Sequence, residues 1–150
     1  MPQSLSKVYV HIVFSTKNRV NRLNETNETS MYEYLGGICK GLECNPLRIG
    51  GYKNHVHILC LLSRKITQMK LVEELKKESS RWFKTKHKGY ADFYWQNGYG
   101  IFSVDPSGIN RVIRYIENQH KHHSRKSFQD EYRDCLKKND MEFDERYVWD

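Results

Sequence analysis

The sequence predicts an α+β fold in which helices pack on one face of a largely antiparallel sheet. Two observations support this prediction. Along the chain, short segments with alternating apolar residues, typical of strands, are interspersed with longer segments whose apolar residues recur at helical spacing. Their order is strand, helix, strand pair, helix, strand and helix, which favours an α+β architecture. At 150 residues, without an internal repeat or a linker, the chain is expected to form one domain over residues 1–150.

The first half of the chain contains three predicted strands and one helix. Residues 7–16 are rich in β-branched and aromatic types and predict the first strand. A helix is expected from about residue 28 to residue 41, because apolar residues recur there every three or four positions. A short strand at 47–49 should end at the Gly50-Gly51 pair, and the next strand should cover 52–62.

The second half begins with a long amphipathic helix, expected over residues 66–86. Strands at 93–95 and 100–104 should flank a polar turn, as in a hairpin. A further helix is expected over 109–123. The tail from 124 to 150 alternates basic and acidic residues, and we expect it to form a short helix and an arm.

The composition indicates a polyanionic partner. Lys and Arg number 25 against 18 Asp and Glu, which gives a net charge of +7. Nucleic acid is the commonest polyanionic partner of such proteins, although many basic proteins bind no particular partner. Eight basic residues are candidates for DNA contacts: Lys17, Arg19, Arg48, Lys53, Arg81, Lys84, Arg111 and Arg114. No segment approaches the ~20 apolar residues of a membrane span. We therefore expect a cytoplasmic protein with free cysteines and with neither a membrane nor a small molecule as its partner.

Two histidines on the predicted strand 52–62 are candidate metal ligands. Side chains at positions i and i+2 of a strand leave the same face, so His55 and His57 should stand side by side. Two imidazoles held in this way form half of a metal site. His11, which is alone on the first strand, is interpreted instead as a packed or hydrogen-bonded residue.

Two residues four positions apart on the predicted helix 109–123 are candidates for a third metal ligand and a nucleophile. Gln119 offers a neutral oxygen as a third ligand, and a neutral ligand set leaves the charge of the ion available to a phosphate. Tyr115 lies one turn earlier on the same side of the helix. A phenol with a pKa of about 10 is a weak nucleophile, but polarisation of the phosphate by a metal makes its attack feasible. The neighbouring histidines are interpreted as a solvated helix end: His120, His122 and His123.

Each of these motifs alone has a common structural explanation, since isolated histidines and tyrosines often lie in or beside a core. A second class of function therefore stays open. A sheet with exposed aromatic side chains would bind single-stranded nucleic acid by stacking and charge, without any chemistry. The candidates for stacking are Tyr94, Trp95, Tyr99 and Phe102.

In combination, the motifs resemble the single-tyrosine HUH transposases of small insertion sequences, which are named for a histidine–hydrophobic–histidine motif. His55-Val56-His57 matches that motif, and the segment from Tyr115 to Gln119 matches the helix with the nucleophilic tyrosine and the metal-binding glutamine. Two further segments are similar to the first strand of the family and to the stretch before the tyrosine helix: 9–17 and 95–104. The resemblance covers about residues 5–125, and the tail 126–150 is less diagnostic.

The resemblance implies a ferredoxin-like or RRM-like antiparallel sheet with the HUH motif on a central strand. It also implies a homodimer that cuts single-stranded DNA near imperfect hairpins at element ends, with Mg²⁺ or Mn²⁺. Tyr115 would take the 5′ phosphate and release a 3′ hydroxyl, in its own subunit or in its partner's. The metal ligands would be His55, His57 and Gln119. Two related functions stay open: that of domesticated copies acting on repeated palindromes, and that of rolling-circle initiators, which a short chain without a helicase segment fits less well.

Overall fold

In the computed structural model, which describes residues 2–150, four strands form a single antiparallel sheet. They are β1 (Val8–Ser15), β2 (Asn45–Tyr52), β3 (His55–Leu62) and β4 (Gly100–Val104). Their spatial order is β2-β3-β1-β4, so β3 and β1 are the central strands. The predicted α+β fold, with the histidine pair on a central strand of an antiparallel sheet, is confirmed.

Five helices accompany the sheet within the described residues. They are α1 (Glu28–Gly41), α2 (Gln68–Lys86), α3 (Ile109–Glu117), α4 (Gln119–His123) and α5 (Phe128–Lys138). Thr67 and Ser127 cap α2 and α5 through side chains that accept hydrogen bonds from backbone N–H groups of the first turn. None of these helices is both long enough and apolar enough to cross a membrane.

Helices cover both faces of the sheet, whereas the sequence predicted one covered face. On the first face, Ile12 and Phe14 of β1 belong to the main core, together with apolar residues of α1 and α2. On the second face, Val13 and Phe102 pack against apolar residues of α5 in a smaller cluster. The prediction of one covered face was wrong because α3 and the short helix of the tail, α5, pack on the second face.

Close packing of α3 against β2 depends on a glycine that was expected to end the strand. The strand continues through Gly50, where a Cβ atom would lie 2.9 Å from Ile116 Cγ2 and 3.1 Å from the Ile116 carbonyl oxygen. Gly50 is opposite His57 in the β2–β3 pairing, so both positions face the same side of the sheet. The missing side chain therefore allows α3 to lie directly over the histidine face.

Two further elements differ from the predicted ones. Residues 93–95 do not form a hairpin strand, and Trp95 makes only an isolated bridge with Thr16. Trp95 instead packs its ring edge-on against Phe14, at 4.9 Å between ring centroids. The position of this segment is therefore determined by packing in the core. The helix expected over 109–123 is divided at Asn118, whose φ of −96° and ψ of 16° end α3.

Candidate active site

The histidine pair lies on the sheet face that α3 and α5 cover. His55 and His57 leave the same side of β3, and both side chains are buried. His55 Nδ1 lies 2.9 Å from Asn54 Oδ1. His57 Nδ1 lies 2.8 Å from Nε2 of His11, which is buried and hydrogen-bonded as expected. Hydrogen bonds of this kind orient imidazoles toward a metal, and here they leave both Nε2 atoms directed at one place.

Gln119 and Tyr115 reach the histidine pair from α4 and α3 of the same chain. Gln119 Oε1 lies 2.9 Å from His55 Nε2, and the side chain of Gln119 is buried. The ring of Tyr115 lies 5.6 Å from the ring of His57, and the two planes are almost perpendicular at 86°. The four residues that the sequence assigned to a site therefore lie together, while their chemical roles stay predictions.

An acidic residue that sequence reasoning missed, Glu131 of α5, lies at the centre of this cluster. Its carboxylate is only 4% exposed. Oε1 lies 3.2 Å from His57 Nε2 and 3.5 Å from His55 Nε2. Oε2 accepts a hydrogen bond from the Tyr115 hydroxyl and another, of 3.1 Å, from Gln119 Nε2. Glu131 thus contacts all four of the predicted site residues.

The spacing of residues in α5 contains a signal that identifies Glu131. Phe128, Tyr132 and Leu136 recur every four positions and are buried in the smaller cluster. Glu131 lies three residues after Phe128, at the edge of the same buried stripe. A carboxylate on the apolar face of a helix requires a buried polar or charged partner. An acidic residue within an apolar stripe is therefore a useful search pattern for such sites.

The histidines after Gln119 were predicted to be a solvated helix end, and for His123 this is wrong. Its side chain is 2% exposed, and its ring lies 4.5 Å from the ring of His55. His122 is about one-third exposed, whereas His120 is 53% exposed and pairs with Glu28 at 3.0 Å. The burial of His123 depends on contacts with other elements, so the periodicity of its own helix did not reveal it.

Burial controls the ionisation of this cluster. Burial, followed by the charge of His57, lowers the pKa of His11 to about 3, and burial also lowers the pKa of His55. Burial, followed by the charge of Glu131, raises the pKa of Tyr115. Burial alone would raise the pKa of Glu131, but the neighbouring histidines together hold it below its ordinary value. At neutral pH the cluster therefore combines neutral His11 and His55 with a protonated phenol and one carboxylate.

This donor set fits a divalent cation. When Nδ1 of neutral His55 donates to Asn54, Nε2 presents a lone pair to Gln119 Oε1. Glu131 Oε1 lies 3.2 Å from His57 Nε2, and in the tautomer of His57 with its hydrogen on Nδ1 both atoms present lone pairs that a cation between them would bind. One ligand atom from each of the two histidines and Glu131 lies within 4.8 Å of the others. Imidazole nitrogen and carboxylate oxygen are common ligands of Mn²⁺ and Zn²⁺.

A cavity of about 470 Å³ opens beside Tyr115, and His57 and Glu131 are among the residues that line it. Arg111 is the one residue of the eight basic candidates that lines this cavity. Six of the others make contacts elsewhere. These are Arg48 with Glu117, Arg81 with Glu78, Arg19 with the Trp149 carbonyl, Lys17 and Lys84 with the ring of Tyr94, and Lys53 with the ring of Tyr52. The assignment of all eight as DNA contacts stays a prediction.

Comparison with known proteins indicates the family of this chain. The family model described as "Transposase IS200 like" matches residues 4–119. A solved structure described as a "putative transposase" from Deinococcus radiodurans R1 is 21% identical, with a TM-score of 0.61, and the match covers 79% of this chain and 98% of that one. A REP-associated tyrosine transposase bound to a REP hairpin is 13% identical, with a TM-score of 0.60, and the match covers 82% of this chain and 73% of that one. No curated protein matches the sequence.

Proposed function

Since this chain belongs to the IS200-like transposase family, we propose that it cleaves and rejoins single-stranded DNA through a covalent bond to Tyr115. The observation that supports this proposal is that Tyr115 lies beside His55, His57 and Gln119 in one buried cluster. The chain is a transposase, and a transposase of this kind needs a nucleophile and a group that stabilises phosphate charge. The cluster provides a candidate for each requirement.

In the proposed reaction, the Tyr115 oxygen attacks the phosphorus of a phosphodiester bond. A phosphorus–oxygen bond to the tyrosine forms and the bond to the 3′ oxygen breaks. The phenolic proton passes to a base, and the leaving 3′ oxygen takes up a proton from water. The products are a 5′-phosphotyrosine and a free 3′ hydroxyl, and the reverse reaction rejoins strands because the bond energy is conserved. Tyr115 donates its hydroxyl hydrogen to Glu131, so this carboxylate is one group to which the phenolic proton can pass as the oxygen attacks.

His55 Nε2, His57 Nε2 and an oxygen of Gln119 or Glu131 would hold the divalent cation of this site. Such a cation polarises the phosphate and neutralises the charge that develops during displacement. Nitrogen ligands suit Mn²⁺ better than Mg²⁺, which prefers oxygen and retains several waters. We therefore expect Mn²⁺ to support cleavage at lower concentration than Mg²⁺ does.

The proposed substrate is a single strand that carries an imperfect hairpin. Support comes from the family resemblance, from the net charge of +7, and from a neighbour of the same fold that was solved with a REP hairpin. The same support extends to a domesticated enzyme that acts on repeated palindromes. We also propose a homodimer, and because Tyr115 and Gln119 meet the histidines of their own chain, we propose that each subunit uses its own tyrosine.

A protein that only binds single strands by stacking is less well supported. Of the aromatic residues proposed for stacking, Trp95 and Phe102 are buried, and each is only 6% exposed. Tyr99 is partly buried against the main core, whereas Tyr94, at 54%, is exposed and lies below the ammonium group of Lys84. One exposed ring contributes about 1–3 kcal/mol of stacking per base, which is too little for a binding surface on its own.

The test uses covalent capture. The protein is incubated with Mn²⁺ and a pool of labelled single strands that carry a hairpin with randomised flanks, and adducts are separated on a denaturing gel. We expect an adduct with the wild type, none with Tyr115→Phe, and an undiminished one with the matched control Tyr147→Phe, whose ring is 64% exposed in the tail. An adduct with Tyr115→Phe, or none with the wild type, would contradict the proposal.

A further inference from the structure

A second group of potential metal ligands adjoins the first and shares one residue with it. His122, His123 and Glu131 each contribute a ligand atom within 4.8 Å of the other two. Glu131 Oε2 lies 3.3 Å from His122 Nε2 and 3.1 Å from His123 Nε2. Both of these nitrogens are buried, and neither has a hydrogen-bond partner among residues 2–150. A buried polar atom without a partner costs about 1–3 kcal/mol, so the pair requires an explanation.

The orientation of His123 identifies what is missing. Its Nδ1 lies 2.6 Å from the backbone carbonyl oxygen of Lys126, which can only accept a hydrogen bond, so Nδ1 carries the hydrogen. In the neutral form of the ring, Nε2 then has a lone pair, and it lies 3.1 Å from a carboxylate oxygen that has lone pairs as well. The ring is fixed between those of His55 and Tyr52, at 4.5 and 5.5 Å. A cation between Nε2 and the oxygen satisfies both.

The two oxygens of Glu131 divide the four histidines into two pairs. Oε1 lies closest to His55 and His57, at 3.5 and 3.2 Å. Oε2 lies close to His122 and His123, at 3.3 and 3.1 Å. Metal–nitrogen and metal–oxygen bonds are about 2.1 Å long, so two ligands of one ion at angles of 90–110° are about 3.0–3.4 Å apart. All four distances agree with this spacing within about 0.1 Å.

We propose that His122, His123 and Glu131 Oε2 form a second divalent-cation site, so that the Glu131 carboxylate bridges two ions. Two imidazoles and one carboxylate oxygen suit Mn²⁺, Co²⁺ or Zn²⁺ rather than Mg²⁺. Two ions bridged in this way typically lie about 3.5–4 Å apart, where both contact the oxygens of one phosphate. The inference deepens the proposed function, because it shares Glu131 with the first site.

Occupation of the second site also changes the position of the nucleophile. The same Oε2 atom accepts the hydrogen bond of the Tyr115 hydroxyl, and the His122 ring lies 5.6 Å from the ring of Tyr115. An ion on Oε2 competes for the lone pairs that hold the phenol. The second ion would therefore release Tyr115 toward the cavity, where a phosphate enters.

The test counts bound Mn²⁺, which is chosen because thiolates of the four cysteines bind it poorly. Metal-free protein is dialysed against Mn²⁺, and bound metal is measured by mass spectrometry and by electron spin resonance. We expect two ions per wild-type chain with a spin-coupled signal, and one uncoupled ion in the double variant His122→Ala, His123→Ala. The matched control His120→Ala changes an exposed histidine of the same helix and should retain two coupled ions. One ion in the wild type, or two in the double variant, would overturn the proposal.

A second variant covers the case in which loss of His123 prevents folding. His122 is about one-third exposed, so His122→Ala should fold, and we expect its second site to bind Mn²⁺ at least tenfold more weakly. Unchanged affinity in this variant would also overturn the proposal. Failure of the two proposals is distinguishable, because adduct formation with one bound ion contradicts only the second site. Two bound ions without any adduct contradict only the proposed reaction.

Discussion

At the scale of single residues, the contacts of the cluster converge on the carboxylate of Glu131 and not on the histidine pair. The histidine pair and Tyr115 are recognisable because each belongs to a local pattern of two to five residues. Glu131 belongs to no such pattern with them, since 74 residues separate it from His57. Its position depends on how α5 packs against the sheet. The only local signal for it in the sequence is its place at the edge of an apolar stripe.

The lowered pKa of His11 gives a prediction about acid stability. An unfolded histidine binds a proton below pH about 6.5, whereas folded His11 does so only below about 3. The unfolded state therefore binds more protons as the pH falls from 6.5, and folding stability decreases through this range. His11→Gln keeps a polar group beside His57 but does not titrate. Between pH 7 and pH 5, metal-free wild type should lose about 2 kcal/mol more unfolding free energy than this variant does.

Urea unfolding at the two pH values measures this difference. The control is His87→Gln, which removes a histidine that lies among the aromatic residues around α2. The control should follow the wild type. Equal losses in the wild type and in His11→Gln would show that His11 is already solvated, or already protonated, in the folded protein.

At the scale of elements, prediction from sequence succeeded for segments whose own apolar pattern determines their structure. It failed for segments whose structure depends on contacts with residues far away in the chain. β1 and β3 alternate between core and histidine face, so both strands were visible in the sequence. The start of β3 was predicted wrongly at residue 52, because Tyr52 ends β2 and a turn separates it from His55. The segment 93–95 has the composition of a strand, yet the rings of Phe93 and Trp95 fill the core beside Phe14, and the segment makes only an isolated bridge. The continuation of β2 through Gly50 required knowledge of Ile116, which lies 66 residues later.

The contact between β2 and α3 predicts how the nucleophile can be displaced. In Gly50→Ala, the new methyl group would collide with Ile116, the residue that follows Tyr115. Pairing with β3 holds β2 in place, so we expect α3 to move away from the sheet and to carry Tyr115 with it. A misplacement of about 1 Å can lower a rate by about a hundredfold. We therefore expect adduct formation by Gly50→Ala to fall at least tenfold, with a lower thermal midpoint.

Gly37→Ala is the matched control, because an added Cβ atom meets nothing within 4 Å at this position of α1. It should preserve adduct formation and raise stability by about 0.5–1 kcal/mol, since alanine is the better helix former. The rate of adduct formation and the thermal midpoint are measured for both variants. Wild-type rates in Gly50→Ala would mean that α3 does not position the tyrosine.

At the scale of the whole molecule, the sheet separates a structural side from a chemical side. The main core joins the sheet to α1 and α2, whereas the polar cluster and the smaller core lie beneath α3, α4 and α5. Basic residues occur on both sides, so net charge alone does not locate the DNA. Arg111 lies at the cavity on the chemical side, and Arg81 lies on α2 with Glu78 as its partner.

This separation predicts which arginine changes the salt dependence of DNA binding. Each phosphate contact with a single strand contributes about −0.7 to the slope of log K against log salt concentration. Arg111→Ala should reduce the magnitude of the slope by about 0.7 and weaken binding at low salt. Arg81→Ala should leave the slope unchanged. Fluorescence anisotropy with a labelled hairpin strand, measured from 50 to 300 mM salt, tests both, and the reverse pattern would move the DNA to the α2 side.

The late position of Glu131 in the chain has a consequence for protein synthesis. The last strand of the sheet ends at Val104, so all four strands leave the ribosome before α5 does. At about 5–20 residues per second, the 27 residues from Val104 to Glu131 take about one to five seconds. During this interval a nascent chain has its histidine pair on a finished strand but lacks the carboxylate. The complete cluster can therefore assemble only as the final helix is released.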